Sequence, residues 1–186
     1  MERRLIHVER DCPALLVPLG APISIPAGSF VTLTQALGGS YTVVVNGNMA
    51  RVDGTDAAAL GMAPLVFNFP PATDDNVDLD QVHEVLGTIY DPEIPVSILE
   101  LGLVYDCHVE QVSADPQRSN SPQNKVVIRM TLTAPGCGMG PVLVNDVKYR
   151  VAKVPNVHSV DVDLVFDPPW SRDRMSDTAR LELGMF

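Results

Sequence analysis

Hydrophobic and polar positions divide the chain into two stretches of different rhythm. Up to about residue 69 the apolar residues come in short runs rich in β-branched side chains, at 15–17, 23–25, 30–34, 41–46 and 49–52, separated by Gly or Pro. Such runs predict strands. Asn46-Gly47 sits between two of them and predicts a tight hairpin, because both residues tolerate positive φ. Asp56 is the expected cap of a helical turn over 57–60 that ends at Gly61. Residues 70–77, with Pro70-Pro71 followed by small and acidic residues, carry neither period and predict a linker.

Beyond residue 77 the period lengthens. Asp78 can cap a helix to about residue 89, with Leu79, Val82, Leu86 and Ile89 on one face. The two prolines of Asp91-Pro92-Glu93-Ile94-Pro95 predict a stiff extended loop. Residues 103–112 alternate, with Leu103, Tyr105, Cys107 and Val109 facing one way and Asp106, His108 and Glu110 the other. A polar loop is expected over 113–124. A strand follows over 126–133, with Ile128, Met130 and Leu132 opposite Arg129, Thr131 and Thr133. A helix over about 139–153 tolerates Pro141 in its first turn. A strand over 157–166 and a short helix between Ser176 and Gly184 complete the series. The expected fold is α+β: a small β-rich N-terminal region, residues 1–76 including the linker, then a compact two-layer α/β domain over 77–186 in the order helix-strand-strand-helix-strand-helix.

Composition narrows the function. The 186 residues are 46% hydrophobic, enough for a core. A net charge of −10 argues against a nucleic-acid or anionic-membrane partner, since both need clustered Lys and Arg. Residues 12–50 hold no charged side chain, but Pro13, Pro18, Pro22 and Pro26 exclude a membrane helix there. The three cysteines, Cys12, Cys107 and Cys137, are odd in number and widely spaced, so a reducing, cytoplasmic setting is expected rather than a disulfide framework.

Cys137 is the candidate functional thiol. It lies in Thr133-Ala134-Pro135-Gly136-Cys137-Gly138-Met139-Gly140, between a strand end and a helix start, where helix N–H groups favour a thiolate and flanking glycines allow close approach. Cys107 shares a face with apolar residues and reads as core, as does Cys12. Thr131 and Thr133, two apart and running toward Cys137, and the carboxylates Asp91 and Glu93 on the stiff loop are candidate supporting groups. Three thiols cannot provide an all-cysteine cluster site within one chain. Zinc-type C-x-x-C pairs, G-x-S-x-G and phosphate-loop patterns are absent.

Four motifs occur in order: Asp91-Pro92-Glu93-Ile94-Pro95, Glu100-Leu101-Gly102-Leu103-Val104-Tyr105, Thr131-Leu132-Thr133-Ala134-Pro135-Gly136-Cys137 and Asp167-Pro168-Pro169-Trp170. Together, over roughly residues 78–186, they resemble the domain shared by SufT, the phenylacetate-oxygenase accessory protein PaaD and a eukaryotic cytosolic iron–sulfur targeting factor. Gln35-Ala36-Leu37-Gly38-Gly39 and Asn46-Gly47-Asn48-Met49-Ala50 resemble the N-terminal extension of SufT itself. The resemblance implies an accessory role in iron–sulfur cluster assembly or delivery, without catalysis. It implies a site at Asp91, Glu93, Thr131, Thr133 and Cys137, and transient iron or cluster at Cys137 with no stably bound cofactor. The partners it implies are the assembly machinery and apo client proteins, and a single-thiol site allows a homodimer. Two alternatives stand beside it. One is a protein-interaction module without chemistry. The other is a cysteine-nucleophile enzyme, which needs a base from among His7, His83, His108 and His158, none of them in a recognisable catalytic motif.

Overall fold

The computed structural model describes residues 3–72, 74–91, 93–112 and 123–185. The expected polar loop at 113–124 and Pro92 of the stiff loop thus fall almost wholly outside the described residues. Contacts divide the chain into two compact units. The first comprises Met1–Phe67, Tyr90–Pro95 and Gly138–Asp146; the second comprises Asn68–Ile89, Val96–Cys137 and Val147–Phe186.

The first unit is built on six strands: β1 (Arg4–His7), β2 (Cys12–Leu16), β3 (Pro22–Ile25), β4 (Phe30–Leu37), β5 (Ser40–Val45) and β6 (Asn48–Asp53). They form one sheet in the order β1-β4-β5-β6-β2-β3, every neighbouring pair antiparallel. Val8, Cys12, Ile25, Val31, Val43 and Val52 form its core. The β5–β6 hairpin closes at Asn46-Gly47, whose φ values of 49° and 79° suit a two-residue turn. The turn after β6 is a 3-10 helix, Gly54–Leu60, ended by Gly61 as expected. Its cap is Asp53 rather than Asp56. The Asp53 carboxylate accepts from the Thr55 N–H at 2.9 Å and from the Thr55 hydroxyl at 2.8 Å, while Asp56 pairs with Arg10 at 3.0 Å. Strand β1 was not expected. It is a four-residue edge strand with Ile6 alone buried, so it carries no readable period.

The second unit runs α1 (Leu79–Gly87), β7 (Val104–Val112), β8 (Gln123–Met130), α2 (Gly140–Val151), β9 (Ser159–Leu164) and α3 (Asp177–Glu182), the expected order. Helix α2 is divided, its first seven residues grouping with the first unit. Asp78 caps α1 by accepting from the Asp80 N–H at 2.9 Å, and Ser176 caps α3 through the Ala179 N–H at 3.0 Å. Strands β7 and β8 pair antiparallel, and β9 joins β8 in parallel after the α2 crossover. Val82 and Leu86 of α1, Val126, Ile128 and Met130 of β8, and Val147 and Val151 of α2 are all fully buried and give the unit its helix-on-sheet layering.

The opposite sheet face carries charge. In register across it run Asp106, Arg129 and Asp163, then Glu110 and Lys125. His108 contacts Asp106 at 2.7 Å and Glu110 at 3.5 Å, and these carboxylates hold its pKa above the ordinary value. Cys107 and His108 point to opposite faces, as the alternation requires.

Candidate functional site

The motifs of the second unit do different work. Asp167-Pro168-Pro169-Trp170 forms a strap held against the segment before β7. The Trp170 indole N–H donates to the Leu101 carbonyl at 2.8 Å, and the Tyr105 hydroxyl donates to the Pro168 carbonyl at 2.8 Å. The Arg174 guanidinium stacks over the Tyr105 ring at 4.1 Å. Ser176 donates from its N–H to the Glu100 carbonyl at 2.9 Å and from its hydroxyl to the Glu100 carboxylate. Gly102 has φ 68°, and a Cβ there would run into the Arg174 carbonyl. Two of the four motifs are therefore consumed in fixing each other.

The segment between β8 and α2 is built otherwise. Strand β8 ends at Met130, short of the expected 133, and the Thr131 N–H leaves the ladder to donate to the Leu103 carbonyl at 2.9 Å. The alternation of 126–133 therefore breaks: Thr131 is buried and so is Leu132, while Thr133 is half-buried. The Thr131 hydroxyl oxygen is buried without a hydrogen-bond partner among the described residues. Ala134-Pro135-Gly136-Cys137 is a turn closed by the Cys137 N–H donating to the Ala134 carbonyl at 3.2 Å. Pro135 presets its first corner, and Gly136 at φ 82° supplies the left-handed second one. A Cβ placed at Gly136 or Gly138 would meet nothing within 4 Å. Cys137 is half-buried, three residues ahead of α2.

The other two cysteines differ from it. Cys12 is fully buried in the first unit's core, and burial, with the Asp56 carboxylate second and Arg10 opposing, pushes its thiol up to about 11. Burial, aided by Asp106, pushes the Cys107 thiol up to about 11 as well. Both are proton-bound at neutral pH.

Asp91 and Glu93 fall in the first unit, Thr131, Thr133 and Cys137 in the second. Asp91 is buried, and one carboxylate oxygen accepts from the Glu93 N–H at 2.8 Å and the Ile94 N–H at 3.0 Å, so it ties its own loop into a turn. Glu93 is exposed. Among the described residues no three His, Cys, Asp or Glu side chains form a set that could hold a metal ion.

The model of one protein family, described as iron–sulfur cluster assembly protein, matches residues 79–163. A protein of Porphyromonas gingivalis named Fe-S protein maturation auxiliary factor is 41% identical over 105 residues, which are 56% of this chain and 90% of that protein. The Fe-S protein maturation auxiliary factor SufT of Staphylococcus aureus is 35% identical over 97 residues, 52% of this chain and 98% of its own. The chain belongs to the SufT family. A further member, the maturation auxiliary factor YitW of Bacillus subtilis, is 36% identical over 106 residues, 57% of this chain and 93% of the relative.

The family match spans α1 to β9 and so takes in Asp91, Glu93, Thr131, Thr133 and Cys137, but neither the six-stranded sheet nor the Trp170 strap. Sequence reasoning missed two buried cations. Arg150 of α2, fully buried, donates to the Thr88 carbonyl at 2.6 Å and so closes the end of α1. Arg51 of β6 pairs with Asp146 of α2 at 2.7 Å, each side chain 4% exposed. A signal for Arg51 was present: it is the only Lys or Arg between Arg10 and Arg118. No helix among the described residues is long and apolar enough to cross a membrane.

Proposed function

We propose that this chain is an accessory factor in iron–sulfur cluster assembly or delivery to apo-proteins, and that Cys137 is the group that transiently takes the cargo as iron, sulfide or a cluster edge. Family membership supports the accessory role. The observation that carries the thiol is the contrast among the three cysteines: two are held protonated by burial, and Cys137 lies half-buried on a turn whose flanking glycines face open space. One thiolate leaves most coordination positions of an iron to other donors. The Thr131 hydroxyl, buried and without a partner among the described residues, is a candidate second donor, an oxygen, within the same unit. A pair of chains would supply two Cys137 thiols, and the acidic surface suits basic patches on client proteins. The protein then acts by holding and handing on cargo and needs no catalytic base.

The test is anaerobic purification of wild type and Cys137→Ala, with iron and sulfide analysis, alongside the activity of iron–sulfur enzymes in cells under high cluster demand. Loss of bound iron and of client activity in Cys137→Ala, with the fold retained, is the expected result. Full client activity in Cys137→Ala would leave an adaptor that works by docking alone.

A further inference from the structure

The first unit contains a feature that no family resemblance assigns. Three residues in the first two turns of α2 are held by the N-terminal sheet and its turns. Arg51 of β6 meets the Asp146 carboxylate at 2.7 Å with both side chains 4% exposed. The contact is a close charge pair, its Arg51 Nε–H not aligned as a hydrogen bond. The Asn145 side-chain amide donates to the Gly20 carbonyl at 3.0 Å. Gly20 also rests against Pro141, where a Cβ would come within 2.9 Å of the Pro141 carbonyl. Pro141, Asn145 and Asp146 thus anchor the beginning of α2, and Gly138, the first residue of that grouped segment, is bonded directly to Cys137.

A buried ion pair contributes little net stability over an apolar pair of the same size, but it fixes geometry, because neither charge tolerates losing its partner. We propose that the N-terminal sheet is a fixed anchor for the start of α2 and that Arg51 is a positioning residue for the Cys137 loop. Within the first unit the sheet limits how far residues 138–146 can move, and the first of them is bonded to Cys137. This inference deepens the role proposed for Cys137 and rests on it for its functional meaning. The anchoring itself is measurable without cargo or client.

The experiment uses the full chain. Arg51→Met/Asp146→Leu replaces the ion pair with an apolar pair, and Asn145→Ala removes the second tie. Amide hydrogen exchange is followed across 140–146, and maleimide alkylation is read by mass spectrometry at each cysteine. The expected result is exchange faster by about tenfold in 140–146 and Cys137 alkylation faster by about threefold or more, with Cys12 and Cys107 still unreactive. Arg51→Lys, which keeps the charge, should restore most of the wild-type alkylation rate. Cluster delivery should fall while Cys137 alone becomes more reactive, whereas a loss of folded protein would expose all three cysteines. Unchanged exchange and unchanged Cys137 alkylation in the folded double variant overturn the proposal. Should the double variant unfold, seen as equal reactivity of all three cysteines, Asn145→Ala decides it by the same readouts, and unchanged exchange and alkylation in it overturn the proposal. If Cys137→Ala keeps full client activity while the anchoring readouts hold, the role of the thiol fails and the anchor stands.

Discussion

Two segments of the second unit, the strap at 167–170 and the turn at 131–137, carry family-like motifs and differ in their physical surroundings. The 167–170 strap is tied down by the Trp170 and Tyr105 hydrogen bonds, and a methyl group at Gly102 would meet the Arg174 backbone. In the 131–138 turn a buried hydroxyl lacks a partner among the described residues, and the glycines face open space. Each is accompanied by a glycine in the left-handed region, Gly102 in the segment the strap is bonded to, at φ 68°, and Gly136 within the turn, at φ 82°. A recurrent motif alone therefore does not separate structure from chemistry. The surroundings do: the closed motifs hold the fold, and the open one carries the thiol proposed to take cargo.

Substitution can break this comparison. Gly102→Ala should have the largest effect, about 2–4 kcal/mol in denaturant unfolding, since the methyl meets backbone and the residue must stay left-handed. Gly136→Ala shares only the left-handed cost, and a loss of about 1–2 kcal/mol with the fold intact is expected. If the two alanines cost the same, the distinction between the segments fails. Trp170→Phe keeps the ring but leaves the Leu101 carbonyl without its donor, and about 1 kcal/mol should be lost in the same measurement.

The thiols sharpen it further. At pH 8 an alkylating reagent should label Cys137 well ahead of Cys12 and Cys107, both held at about 11. The same two groups make stability fall with rising pH. Their folded values lie above that of an ordinary thiol, so the folded state keeps protons that the unfolded chain has released. Stability from this source is whole below about pH 9 and is lost toward pH 11. Cys107→Ala should flatten that part of the curve, measured by melting temperature against pH. The smallest effect is expected of Thr131→Val. Its hydroxyl makes no bond among the described residues, so melting should be unchanged or slightly raised, while client activity falls if the oxygen serves cargo.

Much of this was legible from local signals. Asp78 and Ser176 announce their helices, Asn46-Gly47 its hairpin, and the period of two holds in β9, whereas in β7 a bulge between Val104 and Asp106 interrupts it. Strand β1 was hidden because an edge strand burying one residue has no pattern to show. Asp53 displaced Asp56 as a cap because the chain turns at the end of β6, three residues earlier than the apolar run suggests. The faces of Thr131 and Thr133 were misjudged because alternation was carried past Met130, where the ladder ends. Arg51 and Asp146 lie 95 positions apart, and no local period links them. For the candidate site, the sequence marks Cys137 by its glycines, whereas the loop-tying role of Asp91 depends on backbone hydrogen bonds that only coordinates reveal.

The strap gives the protein a built-in optical label. Trp170 is the chain's single tryptophan, and it lies in the second unit with its indole N–H bonded to a carbonyl. Its fluorescence therefore reports that unit alone, whereas the six-stranded sheet of the first unit contributes strongly to far-ultraviolet circular dichroism. Unfolding followed by both signals compares the two units in one sample without adding a probe. Superimposed transitions mean that they melt as one cooperative body, and separated transitions give each unit its own midpoint.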